Sequence, residues 1–196
     1  TGLLKPNINI LYAVDFNYKF LTIRLGVRPK FGEKTTNEKG ESEYFRFRLQ
    51  FTFINWAHVW EYNRTKGYYL SNSDSFISTP ADARLQFPNL TTHIFVGQTY
   101  RKLNSNYSIQ AIQSQTTAQL KSAGTWMPSI NYWVYSYDGF GNYLDADGNN
   151  SQRQEYNALN GFSVMPYMGY HYTFVVRKFY INSFIDLGMG YDYTRI

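Results

Sequence analysis

Five charged side chains offer the most scope for chemistry in this sequence, Asp15, Arg24, Arg46, Arg48 and Glu61, with His171 and Asp186 further along. All seven fall on the polar side of a period-two alternation, so a β-sheet would bring them onto one face. Opposed charges on such a face neutralise one another as ion pairs, because a buried charge is costly without a partner. The same cluster has a second chemistry: Arg24, Arg46 and Arg48 together would favour anions along a polar path. A narrow enclosure leaves little room for such a path, so mutual pairing that plugs the lumen is the preferred expectation.

The three histidines are His58, His93 and His171. Ser163, His171 and Asp186 can be combined as nucleophile, base and carboxylate, but no feature of their spacing demands it. A histidine between Tyr170 and Tyr172 reads as a hydrogen-bonding side chain, and no catalytic residue is assigned. Asp145, Asp147 and Asn149 in DADGNN stand at the spacing of calcium-loop oxygens. The rest of the twelve-residue ligand pattern is missing, so a polar glycine turn is the better reading, and no metal or cofactor is expected. Gly188 and Gly190 in GMGYDY precede no helix and read as relief for bulky neighbours rather than as a phosphate loop. Asn63, Asn89 and Asn106 head N-x-S/T triplets, which matter only in a eukaryotic secretory protein.

The elements that would position these side chains are strands. Residues 8–20 read INILYAVDFNYKF, apolar at every second position from Ile8 to Phe20. The phase resets after Tyr18, Lys19 and Phe20, and Leu21, Ile23, Leu25 and Val27 begin a new alternation, which reads as a tight hairpin. Phe45, Phe47, Leu49, Phe51 and Phe53 interleave with Arg46, Arg48, Gln50 and Thr52 as the cleanest amphipathic strand. Further strands are expected near 57–67, 90–100, 107–117, 124–136, 161–174 and 178–193, nine in all. The one helical candidate, QRQEYNAL at 152–159, is too short to count.

What the apolar side faces follows from composition. The 196 residues include 19 Tyr and 15 Phe, contain no cysteine, and carry a formal charge of +5 scattered along the chain. Mean hydropathy is only -0.45. Disulfide and thiolate-metal frameworks are thereby excluded, and the dispersed charge does not point to nucleic acid. No run of 18 apolar residues is present. The opening TGLLKPN lacks the pattern of an export signal, which is expected to have been removed or to lie outside this chain. Strands of about ten residues with aromatic residues near their ends predict an antiparallel transmembrane up-and-down β-barrel of ten to twelve strands, with residues 1–196 forming a single domain. Trp56, Trp60, Tyr62, Tyr68, Tyr69, Trp126 and Trp133 would supply its aromatic girdles. A soluble barrel or sandwich would instead show charge on its exposed face, whereas the second face here is rich in Gly, Ser, Thr, Asn and Gln. Two features of the reading conflict. Nine is odd where bacterial single-chain barrels are even, so a strand is missed or lies outside the chain; and 138–160 falls at the opposite end from 32–42 and 68–88.

NYSIQAIQSQTTAQLKSAGTW (106–126), TKGYYL (65–70) and GYHYTFVVRKFY (169–180) resemble a family of outer-membrane β-barrels of Bacteroidota described as a domain of unknown function, over most of the chain. The resemblance implies a barrel longer at both ends, which would account for the odd count, and an exported protein of the bacterial outer membrane. It implies no catalytic residue. The expected role is structural or accessory, with outer-membrane lipids around the wall and other envelope proteins at loops 68–88 and 138–160. A narrow anion-preferring transporter or channel is the alternative, and a lipid-modifying enzyme the least favoured.

Overall fold

Each alternating segment becomes a strand wherever a neighbouring segment can supply hydrogen-bond partners. The computed structural model describes residues 3–29, 39–72, 84–113, 117–140, 142–144, 150–152, 158–177 and 179–195. Its strands are β1 (Leu4–Lys5), β2 (Tyr12–Tyr18), β3 (Leu21–Val27), β4 (Glu43–Thr52), β5 (Trp56–Leu70), β6 (Gln86–Arg101), β7 (Ala123–Asp138), β8 (Asn142–Leu144), β9 (Asn150–Gln152), β10 (Ala158–Val176), β11 (Phe179–Gly188) and β12 (Tyr191–Arg195). A short helix, α1, spans Ile109–Gln113.

The long strands follow one another across a single antiparallel sheet in the order β2-β3-β4-β5-β6-β7-β10-β11. β12 resumes the line of β11 after Met189 and Gly190, because both pair with β10, at 167–176 and 160–164 respectively. Counting β11 and β12 as one, eight long strands alternate in direction, and β2 and β11 with β12 are the edges. Among the described residues these edges do not pair, so the sheet does not close.

Two expectations are corrected. The strand expected at 107–117 is absent: residues 109–113 form α1, inside one connection from β6 to β7. Removing it turns nine long strands into eight and shifts 138–160 to the same end as 28–42 and 71–85. Three long connections, 28–42, 71–85 and 138–160, therefore leave one end, and the fourth, 102–122, leaves the end that carries the short turns. At that second end lie the two-residue turn at Lys19–Phe20, with Lys19 at φ 51°, the turn at 53–55, and the bend after β10, with Arg177 at φ 56°. The second correction concerns the opening segment. Ile8 and Ile10 precede the strand, because β3 ends opposite Tyr12 and leaves them no partner. Residues 3–11 instead cross the long-connection end, with Leu4 paired to Leu70, Asn7 N–H donating to Ser42 Oγ at 2.8 Å and Asn7 Nδ2 to Gly40 O at 2.9 Å. Of the helical candidate at 152–159, Gln152 ends β9, Ala158 and Leu159 open β10, and the remainder lies outside the described residues.

The connection from β6 to β7 folds back over the polar face. Tyr107 and Ile109 are buried with Ala57, Tyr100, Ala123 and Met127 in a cluster of apolar side chains, and Ala111 is buried as well. Its polar anchors reach from β4 to β11: Gln110 Nε2 donates to Thr52 O at 3.3 Å, Tyr107 OH to Asn182 Oδ1 at 3.0 Å, and Tyr180 OH to Ala111 O at 3.0 Å. Lys102 donates from Nζ to the carbonyls of Ser105 and Tyr107, and burial holds its pKa below the usual lysine range.

Candidate functional site

The pairing register lays four of the expected charges in one row across three strand junctions. Asp15 stands opposite Arg24, Arg24 opposite Arg48, and Arg48 opposite Glu61. Like charges directly opposite one another destabilise a sheet, and the two central arginines are tolerated because a carboxylate flanks each on its outer side. Arg24 makes a two-pronged pair with Asp15, Nε to Oδ1 at 2.5 Å and Nη2 to Oδ2 at 2.7 Å. Glu61 serves two cations, accepting from Arg46 Nη2 at 2.6 Å and standing 3.5 Å from Arg48 Nη1. Its second oxygen accepts from Asn63 Nδ2 at 2.9 Å. The network extends to both sides, through Tyr44 OH to Asn63 at 3.0 Å and through Arg48 to Gln50 at 3.1 Å and Gln50 to Thr52 at 3.1 Å. Arg46 Nε is buried without a hydrogen-bond partner among the described residues.

His171 and Asp186 lie on the same face but apart from that row. Asp186 stands opposite Gly169, and its carboxylate leans over that residue, where a Cβ would collide with it, to reach His171 Nε2 at 2.9 Å. His171 stacks on Phe184 with ring centroids 5.2 Å apart. Ser163 is remote: its hydroxyl donates to Asp192. Eight residues separate Ser163 from His171 on one strand, roughly 26 Å at strand rise. The Ser163, His171 and Asp186 combination is therefore not assembled.

On the opposite, apolar face His58 bonds Thr99 Oγ1 at 3.0 Å and His93 bonds Tyr62 OH at 2.8 Å. Trp56, Trp60, Tyr62 and Trp126 share this face. Arg101 sits 5.1 Å over the Trp56 ring, and Trp126 packs edge-on to Tyr170 at 5.2 Å, both near the short-turn end. Trp133 departs from the expected girdle, because the register puts it in the row of Glu61 and Val96, on the polar face. Tyr68 likewise bonds Thr92 on the polar face at 2.7 Å, after the irregularity at Gly67, while Tyr69 meets Lys39 at 5.9 Å. Asp145, Asp147 and Asn149 lie outside the described residues.

Sequence reasoning missed the segment that covers the polar face. One signal was available. Ser108 Oγ accepts from Ala111 N–H at 3.1 Å, the capping geometry of a helix start, and Ile109 and Ile112 follow at helical spacing.

A family model described as "Domain of unknown function (DUF4421)" matches residues 2–196. The chain belongs to this family. The DUF4421 match runs through every strand of the sheet, the charged row and the segment folded over the polar face. No curated protein and no solved structure matches the chain.

Proposed function

We propose that this DUF4421 chain forms the wall of an antiparallel transmembrane β-barrel of ten to twelve strands in the outer membrane of Bacteroidota, with a non-enzymatic, structural or accessory role in a cell-envelope complex. Inverted burial carries this reading. On the polar face Gln50, Thr52, Thr92, Thr125 and Thr173 are all buried, whereas on the apolar face Val14, Phe16, Leu25, Ile185 and Leu187 are exposed, Val14 at 71% and Leu187 at 77%. Water would charge for that arrangement about 25 cal/mol per Å² of apolar surface, and lipid would not. Lipid also leaves no partner for a free strand edge, which supports closure of β2 toward β11 and β12, directly or through further strands.

The paired charges and the segment folded over the polar face support a closed lumen. The remoteness of Ser163 from His171 supports a role without catalysis. Three long connections at one end, among them 68–88 and 138–160, are the surface left for envelope partners once the wall is given to lipid. The test is extraction into detergent followed by electrophoresis with and without boiling. A β-rich species whose mobility changes on boiling is expected; a monomer that stays soluble without detergent overturns the reading. A second reading, a narrow anion path, is favoured by three arginines facing two carboxylates, with Arg46 Nε unpaired among the described residues. It requires steady current across a planar bilayer with anion preference lost when Arg46→Ala and Arg48→Ala are combined, where the closed barrel passes none.

A further inference from the structure

On the apolar face, toward the end with the three long connections, lies a groove of about 470 Å³. The register builds it from two neighbouring rows that run across β6, β7, β10 and β12. Phe95, Val134, Phe162 and Tyr193 stand opposite one another in turn and form its apolar floor. The next row, His93, Ser136, Asn160 and Arg195, closes its outer margin. Ser136 and Asn160 stand two residues inside the ends of β7 and β10, about 7 Å along the strands from the connection at 138–160. The face thus changes from apolar to polar in a single step of the register, and the groove straddles that step.

The polar row has capacity to spare at one end. Arg195 and Asn160 are exposed, and among the described residues neither side chain has an ion pair or a hydrogen bond. His93 and Ser136 are partly committed, His93 Nδ1 to Tyr62 OH at 2.8 Å and Ser136 Oγ to Asp138 at 2.7 Å. Arg195 is the one arginine or lysine among the described residues of the lining, and no carboxylate lines it. Asp138 lies a row further out beside Ser136, so an anion is placed at the Arg195 and Asn160 end, away from it. An arginine on a lipid-facing strand is tolerated near the membrane surface, where lipid phosphates lie. A free phosphate would leave the apolar floor uncovered, and a neutral lipid would leave the guanidinium unmet. The two oxygens of a fatty-acid carboxylate are taken up by the guanidinium fork, whereas a phosphate has a further oxygen for the Asn160 amide.

We propose that this groove holds an acyl lipid by its phosphate, with the phosphate on Arg195 and Asn160 and the chains on Phe95, Val134, Phe162 and Tyr193. The inference rests on the reading of this face as lipid-facing and adds to it the chemistry of the lipid retained. The test titrates the full chain in a non-ionic detergent with dimyristoyl phosphatidylglycerol and counts bound lipid by native mass spectrometry. Saturable binding of one molecule per chain is expected. Three probes are expected to bind more weakly: dimyristoylglycerol, which lacks the phosphate, glycerol phosphate, which lacks the chains, and myristate, which carries a carboxylate instead. Arg195→Gln weakens phosphatidylglycerol binding about tenfold, the worth of one charge-assisted hydrogen bond. The exposed Arg195 side chain has no partner to lose, so circular dichroism of that variant retains the β spectrum. Arg101→Gln, on the same face at the short-turn end, leaves the affinity unchanged. Any of the three probes binding as tightly as phosphatidylglycerol overturns the inference, as does unchanged affinity in Arg195→Gln or an equal loss in Arg101→Gln. A detergent-requiring, heat-modifiable chain with any of those results loses the lipid site and keeps the barrel wall, whereas a chain soluble without detergent loses both.

Discussion

Glu61→Gln removes one charge and almost no volume, and the structure says what it leaves behind. Arg46 approaches Glu61 at 2.6 Å and Arg48 at 3.5 Å, with the Glu61 side chain 15% exposed and that of Arg46 31%. Breaking a buried pair by neutralising one partner costs about 3–5 kcal/mol, because the other charge stays desolvated. Partial exposure lets water recover some of that, and Gln can still accept from Asn63, so about 2–3 kcal/mol is expected here. Arg24 and Arg48, directly opposite one another, then lose the flanking carboxylate that made their proximity tolerable. Arg46→Gln should cost less, about 1–2 kcal/mol, because Glu61 keeps Arg48. In the double variant the two losses overlap, giving a coupling energy of about 1–2 kcal/mol. Urea unfolding of the solubilised protein, followed by tryptophan fluorescence, reads all four corners of the cycle. Two single variants within about 0.5 kcal/mol of wild type, with additive effects, would refute the view that this row is a mutually dependent network.

Three further outcomes are expected. Gly169→Ala puts a methyl where the Asp186 carboxylate lies and should destabilise the protein by about 1–3 kcal/mol, an effect that shrinks in an Asp186→Ala background; equal losses in both backgrounds count against the overlap. Gly97→Ala intrudes on the Tyr132 ring that lies over it and breaks the bond from Trp60 Nε1 to Tyr132 OH at 2.9 Å, which a shifted Trp60 emission would report in a variant series lacking the other tryptophans. Lys102 has a pKa lowered by burial, so the unfolded chain holds this proton more tightly than the folded one. Stability should therefore rise as pH climbs from that lowered value toward the unfolded lysine range near about 10.4, and unfolding midpoints of Lys102→Met should lack that increment.

Period two was enough to read the strands where both neighbours exist. Phe45 to Phe53 alternates with Arg46 to Thr52, and the register lays Asp15, Arg24, Arg46, Arg48, Glu61, His171 and Asp186 on one face. Alternation alone could not say where pairing stops. Ile8 and Ile10 continue the pattern of β2, but a strand needs a partner, and β3 has ended. The strand expected at 107–117 failed in the other direction: Ile109 and Ala111, apolar and two apart, suit a strand as well as a helix, and the Ser108 cap and Ile112 mark the helix. The pairs within the face were out of reach for a different reason. Which carboxylate each arginine meets depends on stagger between strands, and that is set by turns such as Lys19–Phe20 rather than by the alternation itself.

The crossing made by residues 3–11 has a consequence for the order of assembly. Leu3 N–H reaches Asn72 Oδ1 over a separation of 69 residues, whereas the Asn17–Thr22 bond beside the first turn spans 5 and the His171–Asp186 contact spans 15. Loop-closure entropy grows with the length of chain enclosed, so local hairpins zip first and contacts distant in sequence wait. The anchors of the crossing, Leu70, Ser42 and Gly40, come into position only after β4 and β5 have paired. The first residues to be synthesised in this stretch are thus among the last to dock, and they fasten β2 and β3 to a platform built after them.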